Sequence, residues 1–410
     1  MLTWADAKRV LCIRLDNLGD VLMSTPAMQA LVEMNPARKL TLLTSRASAA
    51  LAPHLTMVDD VMAWDAPWVR HDSAADVQHL SADIRDCAAT LAARQFDAAV
   101  IFTVYSQSAL PAALLCSLAG IPLRLAHCRE NPYGLLSDWV RDTEPATPPR
   151  HEAQRQLDLV AHIGARTRDP RLRFALHAAD KQAVTQLLAT LGARRGNRRV
   201  VVLHPGATAA SRRWPAAHFA GVARELAQRT GALVMVTGSA GEASLVASVC
   251  ALAAHRAVMP MSGRLSLGQM GALLAAADLL VSNNSGPVHM AAALGTPVVD
   301  LYALTNPQHT PWMVPSRVLF KDVPCRYCYK STCPEGHHRC LAEVTEAEVV
   351  EAALHLLDGV PCVRQPMPRM PATSELTDLG DLGLPARGVP ERSTAGESIV
   401  KETLHVHARH

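Results

Sequence analysis

The sequence predicts an α/β protein of two domains, each a parallel sheet flanked by helices, and three observations carry that expectation. Short apolar runs alternate with longer amphipathic stretches, the pattern of strands joined by helical crossovers. The alternation occurs as two separate series, one starting near residue 10 and one near residue 199. The chain of 410 residues, 49% hydrophobic and 4% aromatic, is long enough to bury two cores.

The first series reads VLCIRL (10–15), LTLLTS (40–45), DDVMAWD (59–65) and FDAAVIF (96–102). The second reads RVVVLHPG (199–206), GALVMVTG (231–238), DLLVSNNSG (278–286) and TPVVDLY (296–302), with helical patterns such as 215–229 and 287–294 between them. A Pro-rich turn followed by a helix around 151–163 joins the two series, and the hinge is expected near 165–180. This gives domains over 1–170 and 171–358. The stretch 359–410 repeats Pro and Gly with little periodicity and reads as a disordered tail.

Composition excludes several partners. Forty basic and 37 acidic residues give a formal net charge of +3, with no long single-sign run to attract nucleic acid. No stretch approaches 18 consecutive apolar residues, and the first residues run into a strand without the plan of a signal peptide, so a cytoplasmic protein is expected.

The turn after the first strand, RLDNLGD (14–20), is where open α/β sheets hold ligands. It has no G-x-G-x-x-G, and the chain has no G-x-x-x-x-G-K-[ST], which argues against a dinucleotide cofactor or a nucleoside triphosphate in a P-loop and leaves no cofactor expected. Asp20 has two readings: a first-turn acid favoured by the helix dipole, or a carboxylate aimed at a ligand.

Three further turns carry polar groups at strand ends. In LHPGATAASRRWPAAHFA (203–220), Thr208, Ser211, Arg212 and Arg213 precede a helix opened by Pro215, a set suited to a diphosphate or to a solvated basic loop. In VSNNSGPVHMAAALGTP (281–297), Asn284, Ser285 and Gly286 lead into a helix whose free N–H groups suit an anion. His289 in that helix is either a ligand contact or a core histidine. In TGSAGEASLV (237–246), Glu242 can accept from ribose hydroxyls or cap its helix.

Together these stretches resemble glycosyltransferase family 9, the heptosyltransferases of lipopolysaccharide core assembly. The resemblance rests on the R-x-x-x-x-G-D turn, the P-G-A…R-R-W-P loop, the T-G-S…E turn and the block N-N-S-G-P-x-H-x-A-A-A-L-G-T-P, and it spans about residues 9–355. It implies a GT-B fold, two Rossmann-like domains facing across a cleft, with the acceptor held by the first domain and a nucleotide-sugar donor by the second. It also implies inverting, metal-independent transfer to a saccharide or glycolipid hydroxyl, with ADP-heptose as the family's donor and room for peripheral association with the inner face of a membrane. Asp20 matches the family's general base, Asn17 and Gly19 its acceptor-side turn, and Thr208, Ser211, Arg212, Glu242, Asn284, Ser285, Gly286 and His289 its donor-binding positions.

Two departures stand out. Arg212 occupies a common lysine position, and Asn284 stands where family members commonly carry aspartate. Alternatives to transfer are a catalytically silent nucleotide-sugar-binding protein and a nucleotide-sugar-modifying enzyme. The acceptor loops, around 45–55, 64–75 and 103–110, contain Arg46, Trp68, Arg70, His71, Tyr105 and Gln107 in no decodable pattern. The cluster CRYCYKSTCPEGHHRC (325–340) places Cys325, Cys328, Cys333 and Cys340 at a spacing that permits a zinc site, although the C-x6-C pair favours reduced thiols bracing a loop.

Overall fold

The structure is a computed structural model that describes residues 2–69, 77–193, 198–360 and 367–370. In the first half, strands β1 (Arg9–Arg14), β2 (Lys39–Thr44), β3 (Asp60–Ala63), β4 (Ala98–Ile101), β5 (Leu123–Cys128) and β6 (Asp138–Arg141) pair in the order β3-β2-β1-β4-β5-β6. Their crossovers contain helices α1 (Leu18–Met34), α2 (Val77–Ala93) and α3 (Leu110–Leu118). Helices α4 (Glu152–Ala161) and α5 (Ala178–Thr190) lead to the second half.

There β7 (Val200–His204), β8 (Leu233–Val236), β9 (Val258–Pro260), β10 (Leu279–Asn283), β11 (Val298–Leu301) and β12 (Ser316–Leu319) pair in the order β12-β11-β10-β7-β8-β9. Their crossovers are built on α6 (Ala216–Thr230), α7 (Ala243–Ala253), α8 (Leu267–Ala276) and α9 (Gly286–Leu294), and α10 (Arg339–Ala342) and α11 (Glu346–Leu357) follow. Every pairing is parallel. Each sheet therefore has the doubly wound order 3-2-1-4-5-6, whose direction reverses between β1 and β4 and between β7 and β10.

All eight strands expected from the apolar runs form. The expectation missed β5, β6, β9 and β12, which are short or carry polar residues: β6 is Asp-Trp-Val-Arg and β9 is Val-Met-Pro. Strands β6, β9 and β12 lie at a sheet edge, where one side meets solvent and the apolar signal is weak, and the inner strand β5 is interrupted by Arg124 and His127. The two series give two sheets without exchange of strands. The domain boundary at 170/171 remains a proposal, since α5 already packs along α8 of the second half.

Buried contacts join the halves. Helix α1 lies against α9, and Gly19 approaches the His289 ring so closely that a Cβ there would sit 2.6 Å from Cδ2. Backbone N–H of Glu152 donates to the Gln308 carbonyl at 3.0 Å, and the Trp312 indole donates to the Pro170 carbonyl at 2.8 Å.

Of the stretch read as a tail, 361–366 and 371–410 lie outside the described residues. Residues 367–370 do not behave as a free tail: the Pro368 carbonyl accepts from the Tyr327 hydroxyl at 2.6 Å and the Arg369 carbonyl from Arg326 at 2.9 Å. Met367 and Met370 pack against the cluster around Tyr302 and Phe320, an apolar contact that a search for periodicity does not see.

Candidate active site

Loops at a switch point splay apart and leave a crevice at the carboxyl ends of the strands. Here the loops after β1, β4, β7 and β10 line one cleft of about 430 Å³, joined by the segments after β11 and β12. The first half contributes Asp16, Asn17, Gly19, Asp20, Ser106 and Gln107. The second contributes Thr208, Arg212, Asn284, Ser285, Gly286 and His289.

Asp20 caps the start of α1 and lines the cleft. Its Oδ2 accepts from the Asn17 backbone N–H at 3.1 Å, closing the first turn of α1. Its Oδ1 faces Arg14 Nη2 at 3.3 Å and His309 Nε2 at 3.9 Å. One oxygen fixes the helix start and the other looks along the cleft wall.

Arg14, fully buried, also forms an ion pair with Asp16 at 2.9 Å and donates to Glu152 at 2.7 Å. One guanidinium thus faces three carboxylates. Burial opposes the Arg14 charge, but the carboxylates outweigh it and hold the group more firmly protonated than usual. Burial pushes Asp16 and Glu152 above the usual carboxylate range, with Arg14 pulling back. Gln107 donates to the far oxygen of Asp16 at 2.6 Å, and Gln156 to Glu152 at 2.7 Å.

The opposite wall holds the cation. Arg212 follows the β7 loop and has no ion-pair partner among the described residues. His289 and His309 are held well below the ordinary imidazole value, first by burial and then by neighbouring cations including Arg212, so both are neutral at neutral pH. Arg212, with Lys330 at the exposed rim, therefore carries the positive charge of this wall. The start of α9 at Ser285 and Gly286 adds unspent N–H groups.

Two expected donor contacts point elsewhere. The Ser211 hydroxyl donates to the Lys330 carbonyl at 2.8 Å and its N–H to the Ser331 carbonyl at 2.9 Å, so Ser211 ties the β7 loop to the segment after β12. Its hydroxyl proton is already used. Glu242 accepts from the Ser239 N–H at 2.8 Å and lies against Gly206, outside the residues that line the cleft.

Conversely, Asp16, Ser106, Asn306, Gln308, His309, Tyr329, Lys330 and Ser331 line the cleft without having been singled out. The strand-end position of RLD and the polar run NPQH after β11 were available signals, and Tyr329, Lys330 and Ser331 belong to the cysteine cluster of 325–340, read as a loop near the cleft. Of the acceptor loops, Trp68 and Gln107 line a second cavity of about 260 Å³ that shares Asp16, Ser106 and Gln107 with the cleft. Tyr105 stacks edge-on against Tyr329 with ring centroids 5.9 Å apart. Arg46 pairs with Asp65 at 3.7 Å, and Arg70 and His71 lie outside the described residues.

The four cysteines of 325–340 are free thiols, with Cys325 Sγ 3.7 Å from His337 Nε2. Among the described residues no three His, Cys, Asp or Glu side chains are arranged to hold a metal ion. No helix of the described residues is long and apolar enough to cross a membrane.

Residues 84–339, more than half of the chain, match the family described as glycosyltransferase family 9 (heptosyltransferase). The chain is 30% identical over 256 residues to lipopolysaccharide heptosyltransferase 2 of Escherichia coli, covering 60% of this chain and 72% of that one. It is 29% identical over 168 residues to lipooligosaccharide heptosyltransferase 2 of Campylobacter jejuni, covering 40% of this chain and 52%, about half, of that relative. The structure of E. coli ADP-heptose lipopolysaccharide heptosyltransferase II superposes with a TM-score of 0.65 at 24% identity, covering 86% of this chain and 99% of that one, a likeness of fold. The paired doubly wound sheets are thus the GT-B fold, and the chain belongs to glycosyltransferase family 9, the heptosyltransferase family.

Proposed function

We propose that the cleft transfers a heptose from ADP-heptose to a hydroxyl of a lipopolysaccharide-core or other surface-glycan saccharide, with inversion at the anomeric carbon and without a divalent cation. The observation that carries this reading is the separation of charge across the cleft: a carboxylate on the first-half wall and an unpaired guanidinium beside a helix N-terminus on the other. The donor is taken from the relative whose description includes ADP-heptose.

In this reading Asp20 removes the proton of the acceptor hydroxyl as that oxygen attacks the anomeric carbon. The bond from that carbon to the diphosphate breaks on the far side, and ADP departs with the electron pair. Arg212, Thr208 and the N–H groups at Ser285 and Gly286 neutralise the charge that grows there. Attack from one wall with departure toward the other inverts the configuration. Asn17 and Gly19 shape the acceptor side, Asn284 and His289 the sugar side. The second cavity, open to Asp16, receives the acceptor. Action at the cytoplasmic face, with peripheral membrane association, follows from a glycolipid acceptor.

The test is ADP release from ADP-heptose in the presence of lipopolysaccharide-core acceptors, with nuclear magnetic resonance of the anomeric proton in the product. Acceptor-dependent ADP release with an inverted linkage is expected. Donor binding without transfer to any acceptor would instead identify a nucleotide-sugar sensor.

A further inference from the structure

Asn284 directly follows the last residue of β10 and lines the cleft, yet it is buried, and its carboxamide has little freedom. Its Nδ2 donates to the His309 carbonyl at 2.8 Å and to Asp300 Oδ2 at 2.9 Å. A backbone carbonyl can only accept, so this neighbour fixes which end of the amide is nitrogen. Both N–H bonds are then used, and Oδ1 is the remaining polar atom. Asp300 sits one strand away on β11, in register with Ser282 of β10, and is wholly buried. Among the described residues its Oδ1 has no partner, and the hydrogen bond to Asn284 is the one its carboxyl group makes there. The loop carrying the His309 carbonyl is held in turn by the Tyr302 hydroxyl, which accepts from the His309 N–H at 3.2 Å and donates to Asn306 at 3.0 Å.

We propose that Asp300 and the His309 carbonyl lock the Asn284 carboxamide with its oxygen toward the cleft, making position 284 an acceptor for a hydroxyl of the transferred sugar. Asp300 is the positioning residue of this pair and acts through Asn284. The device selects a neutral polyhydroxy sugar that offers a hydroxyl proton at this point. A sugar bearing a carboxylate or phosphate there would meet an oxygen with no proton between them. The inference rests on the donor reading above and adds which part of the donor this wall recognises.

The experiment compares ADP with ADP-heptose by calorimetric titration on the full chain and its Asn284→Ala, Asp300→Ala, Asp300→Asn and doubly alanine-substituted variants. Loss of one hydrogen bond to the sugar should weaken ADP-heptose by about tenfold in Asn284→Ala and Asp300→Ala, with ADP altered less than about twofold. The double variant should be no weaker than Asn284→Ala, because Asp300 has nothing left to position. Asp300→Asn keeps an acceptor oxygen for Nδ2 and should stay within about threefold of the unsubstituted protein.

Unchanged ADP-heptose binding in Asn284→Ala, an equal fall for both ligands in Asp300→Ala, or additive losses in the double variant would overturn the proposal. Should Asp300→Ala not fold, Asn284→Ala and Asp300→Asn carry the same test. An unsubstituted protein that binds neither ligand overturns the donor reading and this inference with it. Binding of both ligands with no difference in Asn284→Ala overturns this inference alone.

Discussion

At the residue scale, the two oxygens of Asp20 have separate duties, and an amide can take over only one of them. Asn at this position still accepts from the Asn17 N–H but gives up the ion pair to Arg14, so Asp20→Asn should keep the helix start and lower the melting temperature by only about 2–4 °C. It cannot accept a hydroxyl proton, so transfer should fall by about 10²–10⁴-fold while ADP affinity stays the same. Steady-state rates beside a calorimetric titration check this; a fully active variant would leave Asp20 as a cap. Arg212 is predicted to act in the opposite manner. Removing an unpaired cation from the phosphate wall should weaken ADP and slow transfer together, with affinity falling by roughly 10–100-fold in Arg212→Ala, the range of hydrogen bonds to charged groups. Equal ADP affinity in that variant would remove Arg212 from the donor site.

At the scale of elements, the contact of α1 with α9 sets the distance between the cleft walls. Gly19 is in the first turn of α1, and its missing Cβ is what lets the His289 ring of α9 approach. A methyl group there would require the ring or the helix to shift, since 2.6 Å is well inside van der Waals contact. Gly19→Ala should therefore destabilise by about 1–3 kcal/mol, the usual cost of overpacking, and slow transfer as the walls move apart. Gly241→Ala, whose Cβ would come no nearer than 3.8 Å to Ser239, is the control that should melt as the unsubstituted protein does. Matching melting curves for all three proteins would show that the helix contact is slack.

For the whole molecule, stability should respond to pH through Asp300. Its carboxyl is pushed from 3.8 to about 8 by burial, only partly offset by the Asn284 hydrogen bond and by Arg212. Below about pH 4 both folded and unfolded chains hold this proton. Between there and about pH 8 the unfolded chain has released it while the folded protein retains it, so this group makes stability fall as pH rises. Asp300→Asn carries no such proton. Its stability relative to the unsubstituted protein should grow with pH by up to about 1.4 kcal/mol per unit and level off above the folded value. Melting temperatures of the pair at a series of pH values from acid to alkaline provide the check, and a constant difference would place Asp300 in contact with water. Transfer is also expected to persist after treatment with a chelator, the helix N-terminus and Arg212 standing where a cation would otherwise neutralise the diphosphate; loss of activity restored by magnesium or manganese would reverse that part of the mechanism.

The sequence by itself determined the α/β class, the two series of strands and the four turns at their carboxyl ends. Hydrophobic periodicity and turn chemistry are local, so a run such as RVVVLHPG states both its strand and the loop that ends it. It also supplied Asp20, Arg212 and the Asn284–Gly286 turn, because each adjoins a strand end whose position the apolar run fixes. Only the tertiary structure decided which of those side chains remain available. Ser211 and Asp300 show why: the first is engaged by carbonyls 119 and 120 residues further along the chain, and the second reaches the cleft wall through a neighbouring strand. Arg14, Asp16 and Glu152 meet because α4 packs on α1, bringing together residues up to 138 positions apart. Hydrogen-bond partners are selected by distance in the folded chain, and no spacing along the sequence encodes them.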